Sequence, residues 1–337
     1  MNMRERFPLG KVPSKVLSEV LFRYLGQRDE SVILGPQLGE DAAVIKLDEG
    51  YLVVSTDPIT AAEREIGWLA VHISANDVAV TGARPRWFLS SILLSEDIDL
   101  LNIKHISKQI GEAAKSLGIA VIGGHTEITP GLQKHIVVGM AMGLTDRYIT
   151  SSGARPGDKI IQSKGIGFEG ISILASAYEA YLQKKLQKST ISEAKKLREK
   201  ISVVREALAL ADHDWLTAMH DPTEGGLFLG LHELADASKT GLKIYRDKII
   251  ITEPVRRVCE VLKVDVFSLL SSGTLLASVH PRCVDEALGF LSATGEKCAV
   301  IGEMLSDSEE RVLVDSTGGR KPLPKPVEDA IWKLIEE

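Results

Sequence analysis

The stretch TDRYITSSGARPGDK, residues 145–159, interrupts the apolar patterning of the chain and gathers Ser, Gly, Arg and Pro between two apolar runs. It splits 337 residues into two halves, each long enough to bury a core of its own. The boundary falls near residue 150, giving domains 1–150 and 151–337. In the first half, helical spacing runs from Pro13 to Gly26, and AVIKL and YLVVST flank a compact acidic turn as a hairpin. A helix over 62–80, a strand over 87–94, an amphipathic helix over 103–118 and strands at IAVIGG and HIVVGMAMGL follow. These connections are mixed rather than a strict βαβα alternation, so the fold class is α+β. The second half offers strands at KIIQS, TLLASV and CAVIGEM, a helix from about Gly170 and another at GGLFLGLHELAD. The charge-dense segment 184–200 reads as a solvated helical surface.

Composition narrows the function classes. Forty-six acids against forty bases give a net charge of -6, and no basic stretch carries interleaved aromatics, which argues against a nucleic-acid partner. Cys259, Cys283 and Cys298 form no CxxC pair, so neither a disulfide framework nor a thiolate zinc site is expected, and a reducing, cytoplasmic setting fits. The N-terminus has no apolar core of a targeting signal and no run of about 18 apolar residues occurs, so no membrane association is expected.

Acids mark the ends of the apolar runs: Asp41 in GEDAAVI, Asp57 in STDPIT and Asp77 in SANDVAVTGA. Any one of them alone would serve as a turn or cap residue. Three carboxylates among small and apolar neighbours are costly to bury without a counter-charge, and magnesium takes hard oxygen ligands of this kind. GGHTEITPGL (123–132) follows the apolar IAVI. Gly123 and Gly124 could bring backbone amides to a phosphate, with His125, Thr126 and Glu127 beside them, or could form an ordinary turn. MHDPTEGG places Asp221 and Thr223 before a diglycine that opens a helix, as caps or as part of a phosphate site. His220 and His232 lack zinc-ligand spacing and read as structural. GIGFEG (165–170) matches a dinucleotide fingerprint, but the region about 20 residues on is Lys-rich rather than a second strand ending in an acid. It reads instead as a glycine loop approaching a ligand or another backbone.

In order, GEDAAVI, STDPIT, ANDVAVTGARP, GGHTEI, ARPGDKIIQS, MHDPTEGG and SSGTLLASV resemble the superfamily of aminoimidazole ribonucleotide (AIR) synthase, selenophosphate synthetase, thiamine monophosphate kinase and the hydrogenase-maturation protein HypE. DPTEGG and ARPGD look most like the HypE branch. The resemblance implies a two-domain AIR synthase-like fold whose N-terminal domains pair into a barrel across a homodimer, with ATP and magnesium in an interface cleft. It implies Asp41, Asp57 and Asp77 as metal and phosphate ligands, and Gly123, Gly124 and Thr126 at the ATP phosphates. Asp221 and Thr223 would face the substrate, with His125 and Glu169 as further catalytic candidates. The implied chemistry is transfer of the ATP γ-phosphate to an amide or comparable oxygen of a small or protein-borne substrate. The alternative is a nucleotide-binding partner of a maturation protein with little turnover. Three departures stand out: the chain ends AIWKLIEE where HypE proteins usually carry a terminal cysteine, His125 replaces an acid in GGDT, and Glu169 stands where HypE often has His. Cys283, near a helix start, reads as a structural thiol, so the acceptor of a carbamoyl group is expected in trans.

Overall fold

The computed structural model describes residues 7, 9–62 and 64–335; the tail acids Glu336 and Glu337 lie outside the described residues. The first half carries a six-stranded sheet. Its strands are β1 (Val32–Leu34), β2 (Ala43–Lys46), β3 (Tyr51–Ile59), β4 (Arg84–Leu94), β5 (Ala120–Ile128) and β6 (Ile136–Thr145), ordered β1-β2-β3-β6-β4-β5. The β2–β3 hairpin forms in register from Ala43↔Val54 to Lys46↔Tyr51. Strands β4 and β5 run parallel, joined by a helix as parallel strands require.

The helices of this half are α1 (Ser14–Glu19), α2 (Ile66–Val80) and α3 (Leu100–Leu117). Helix α3 is amphipathic, capped by Asp99 at the Asn102 amide (2.7 Å) and ended by Gly118 at φ +70°. Helix α1 stops well short of Gly26; a single 3-10 turn follows it over Leu21–Arg23, with Leu21, Tyr24 and Leu25 exposed. So short a helix gains little from propensity alone. In α2 every residue except Trp68 is buried, because the helix packs on the sheet, on α3 and on the second domain.

IAVI, which predicts a buried strand, is split: Ile119 is buried, while Ala120, Val121 and Ile122 open β5, the edge of the sheet, exposed at all nine positions. GGHT lies within this strand rather than in a loop after it.

The second sheet is ordered β13-β12-β9-β11-β7-β10-β8. Its strands are β7 (Lys159–Ser163), β8 (Leu216–His220), β9 (Gly241–Tyr245), β10 (Leu275–Val279), β11 (Cys298–Leu305), β12 (Arg311–Val314) and β13 (Arg320–Pro322). Its helices are α4 (Phe168–Ala177), α5 (Glu179–Leu182), α6 (Lys188–Lys196), α7 (Val204–Ala211), α8 (Gly226–Ser238), α9 (Glu253–Leu262), α10 (Val284–Ala293) and α11 (Trp332–Ile335). The inner strands alternate between two cores: Ile161, Leu275 and Ala277 pack with α7 and α10, while Ile160, Leu276 and Ala218 pack with α8. Helix α6 buries Ile191 and Ala194 and exposes most of its lysines, as a solvated surface should.

Asn76 of α2 fastens the domains together. Its amide donates to the Ile201 carbonyl (3.0 Å), and its oxygen accepts from the Val203 amide (2.8 Å). One turn of α2 therefore faces the second domain, and the next residue is Asp77.

Candidate active site

Three carboxylates meet at this seam. Asp41 precedes β2, Asp77 projects from α2 and Asp221 follows β8; each offers an oxygen, and these oxygens lie within 4.8 Å of one another. Asp77 and Asp221 are buried, and neither oxygen of Asp221 has a hydrogen-bond partner among the described residues. Burial lifts the Asp221 carboxyl well above the usual carboxylate range, and Asp41 adds to the effect. Burial raises Asp57 and Asp77 as well, and the neighbouring carboxylates of Asp57, Asp221 and Asp41 push Asp77 further up. Ser55 Oγ donates to Asp77 Oδ2 at 2.6 Å. So many carboxylates packed together with a bare pair of oxygens suit a hard divalent cation, which would restore all of them to the ionised form. Asp221 thus joins the tightest grouping, where the resemblance implied Asp57; Asp57 stands next to it through Asp77.

Around Asp41 the donors are fixed. Ser151 Oγ donates to Asp41 Oδ2 (2.9 Å), and His220 Nδ1 lies 2.8 Å from Asp41 Oδ1. The other ring nitrogen of His220 meets Glu233 Oε2 at 3.2 Å, and Lys11 Nζ lies 3.3 Å from Glu233 Oε1. Although burial opposes charge on His220, the two carboxylates outweigh it and raise the imidazole well above its ordinary value. His220 is therefore no ordinary core histidine, as the absence of zinc spacing had suggested. Its neighbour Asp221 was a signal for it. Glu233, in the LHELAD run of α8, and Ser151 gave none in the sequence.

The diglycine does not present free amides to a phosphate: the Gly226 amide donates to the Thr223 carbonyl (3.1 Å). Gly225, at φ +81°, donates its amide to Asp329 Oδ2 (2.7 Å), and Asp329 also accepts from the Ile331 amide (2.8 Å). The Thr223 carbonyl accepts from the Ser271 amide. Glu169 is buried on α4 against the hydroxyl of Ser272, and burial pushes its carboxyl up to about 8, with Asp329, Asp57 and Glu224 adding to the rise. The GIGFEG loop around it is buried throughout and packs on backbone: the Gly165 carbonyl accepts from Thr274 Oγ1 and the Gly170 amide donates to the Leu270 carbonyl.

A single chain does not bring GGHT to the acids. Asp57 pairs with Gly139, Gly139 with Ser90 and Ser90 with Gly124, so Gly124 and Asp57 share a row across the sheet but stand three strands apart, about 14 Å. His125 is exposed and bonds Glu127 (3.1 Å). Gly124, at φ +153°, is a tight fit, since a Cβ there would lie 2.3 Å from the Ser90 carbonyl oxygen.

Comparison with known proteins agrees with this architecture. The model of the AIR synthase related protein N-terminal domain matches residues 39–145, and that of the C-terminal domain matches residues 155–315. The chain belongs to the AIR synthase related family. It is 29% identical to a protein of Methanocaldococcus jannaschii named for hydrogenase expression and formation, over 96% of this chain and 97% of that one. It is also 29% identical to the carbamoyl dehydratase HypE of Rhizobium leguminosarum bv. viciae, over 83% and 81% of the two chains. The crystal structure of a hydrogenase maturation protein HypE in complex with ATP superposes with a TM-score of 0.71 at 25% identity, covering 95% of this chain and 96% of that one.

Proposed function

We propose that this AIR synthase related protein is an ATP- and magnesium-dependent enzyme that activates a carbamoyl oxygen by phosphorylation, so that the group loses the elements of water. The observation that carries this reading is the meeting of Asp41, Asp77 and Asp221, with the bare Asp221 oxygens at its centre. These three would hold magnesium, which when bound neutralises phosphate charge and fixes the nucleotide against its acceptor. Ser151 and His220 orient Asp41 by engaging both its oxygens, and Ser55 orients Asp77. Sequestered at the seam, the acids act in a low-dielectric setting where such positioning counts most. The relatives named carbamoyl dehydratase, and the HypE structure holding ATP, support this substrate class.

The carbamoyl acceptor is a thiol supplied in trans, on a partner protein or a small molecule. Cys259 is buried in a core with Val255 and Val258, its thiol pushed up to about 12 by burial, and Cys283 and Cys298 are half-buried against the core built on α7 and α10. The active form is a homodimer joined through the exposed β5 edge.

An S-alkyl thiocarbamate labelled with ¹⁸O in its carbonyl tests the chemistry. With ATP and magnesium the label should appear in inorganic phosphate and the organic product should be the thiocyanate. Thiocyanate formed with unlabelled phosphate overturns the phosphorylation step, and nucleotide binding without turnover overturns the enzymatic reading.

A further inference from the structure

Trp68, His72 and Asn76 stand four residues apart on α2 and form one stripe along the helix. Two of the three are bonded to the second domain. The Trp68 indole donates to the Arg198 carbonyl (3.0 Å), and Asn76 engages Ile201 and Val203. His72, midway between them, is 4% exposed, and neither of its ring nitrogens has a hydrogen-bond partner among the described residues. Its ring lies against that of Trp68, the centroids 4.4 Å apart.

A fixed cation stands close by. Lys164, after β7, is buried at φ +64°, a left-handed conformation uncommon outside glycine. Its ammonium donates to the carbonyls of Lys200 (3.3 Å) and Ser202 and pairs with the buried Glu206 of α7 at 2.9 Å. These contacts all fall on residues 200–206, the stretch to which α2 is itself bonded. The other charges along the seam are paired, Arg198 with Glu65 beside Trp68 and Lys200 with Glu296. On the α3 side, His105 meets Gln109, whose oxygen accepts from the Gly67 amide. Burial, and then the charge of Lys164, lower the His72 imidazole from its ordinary 6.5 to about 3.

We propose that His72 is an acid-sensitive latch on the domain seam: neutral, it lets α2 lie against residues 198–206, and on taking a proton it drives the two apart. An imidazolium shut into the seam would lack an acceptor and stand near the Lys164 ammonium, whereas an open seam hydrates it. Between pH 6.5 and 3 the closed seam therefore binds fewer protons than the open one, and closure weakens as pH falls through that window. Asp77 lies five residues further along the same helix, so opening also releases one side of the carboxylate grouping.

The latch acts without nucleotide, and hydrogen exchange followed by NMR in the full chain tests it. The Val203 amide and the Trp68 indole N–H, both donors across the seam, are read, each rate divided by its intrinsic rate at that pH. Opening at both should rise about tenfold from pH 5.5 to 4.5, and both should stay less protected than the amides of β7, in the interior of the second sheet. His72→Phe keeps a ring against Trp68 and His72→Gln keeps a polar group, but neither titrates, so each should cut the rise below threefold. In wild type the His72 Cε1–H resonance should hold its position from pH 7.5 to 5.5. A midpoint near 6.5 for that resonance overturns the latch, as does a tenfold rise that survives in both variants. Seam donors as protected as β7 overturn it too, since the seam would then open only when the whole chain unfolds.

Discussion

At the scale of single residues, Asp221 is the most exposed to test, because it is a poor choice for stability and a good one for a ligand. A buried carboxyl with no hydrogen-bond partner opposes folding unless a cation joins it. Asp221→Asn should therefore leave the melting temperature in a chelator unchanged or higher, while removing the gain in melting temperature that magnesium and ATP confer on wild type. A scanning calorimeter reads both. Asp77→Asn and Asp57→Asn should each weaken Mg-ATP binding, Asp77→Asn by roughly 10- to 100-fold and Asp57→Asn by less, since Asp57 lies outside the tight trio. Glu169 gives a pH signature. Its native carboxyl titrates at about 8 and its unfolded one at 4.5, so the native state holds the extra proton in between and stability falls as pH rises from about 4.5 to 8. Glu169→Gln should flatten that part of the denaturation profile and gain most at pH 8 or above; a profile parallel to wild type would refute it. Asp41 and Asp77 stood out in the sequence as acids among small and apolar neighbours, although Asp57 and Asp77 lie inside β3 and α2 rather than at the ends of elements. His220 and Glu233 did not stand out, since their meaning comes from contacts 179 and 13 residues apart in the chain.

At the scale of elements, periodicity made most strands and helices readable, and it failed where tertiary burial sets the pattern. Helix α2 is apolar on all sides because it lies between the sheet and the second domain, so its sequence does not say which face holds Asn76 and Asp77. Strand β5 fails in the opposite sense, apolar at Ala120, Val121 and Ile122 yet exposed. Four residues of such a run cannot distinguish a core from a contact surface. Asn76 is the element-level test. Its removal leaves the Ile201 carbonyl and the Val203 amide without their partner at the buried domain seam. Asn76→Ala should cost about 2 to 4 kcal/mol in urea unfolding. It should also lower Mg-ATP affinity, since Asp77 is the next residue on the helix. Affinity preserved in a destabilised variant would show that the seam and the metal site are set independently.

For the whole molecule, the sheet of the first domain ends in an edge that a lone chain leaves open. Val121, Ile122 and Ile128 are 47%, 54% and 57% exposed on a strand whose outer hydrogen-bonding groups face away from β4. Proteins normally cover, charge or shorten such an edge, and β5 has nine residues with Glu127 as its one acid. A second copy can cover it, edge to edge. The protein should therefore run as a dimer by light scattering at micromolar concentration. Ile122→Lys places a charge in the middle of the exposed edge, so it should shift the mass to that of one chain without loss of helical signal. If the partner's strand completes the site, ATP hydrolysis should fall with the dimer fraction and recover as protein concentration rises. A monomeric wild type would overturn the association, and a monomeric Ile122→Lys that hydrolyses ATP at the full rate would separate dimerisation from catalysis.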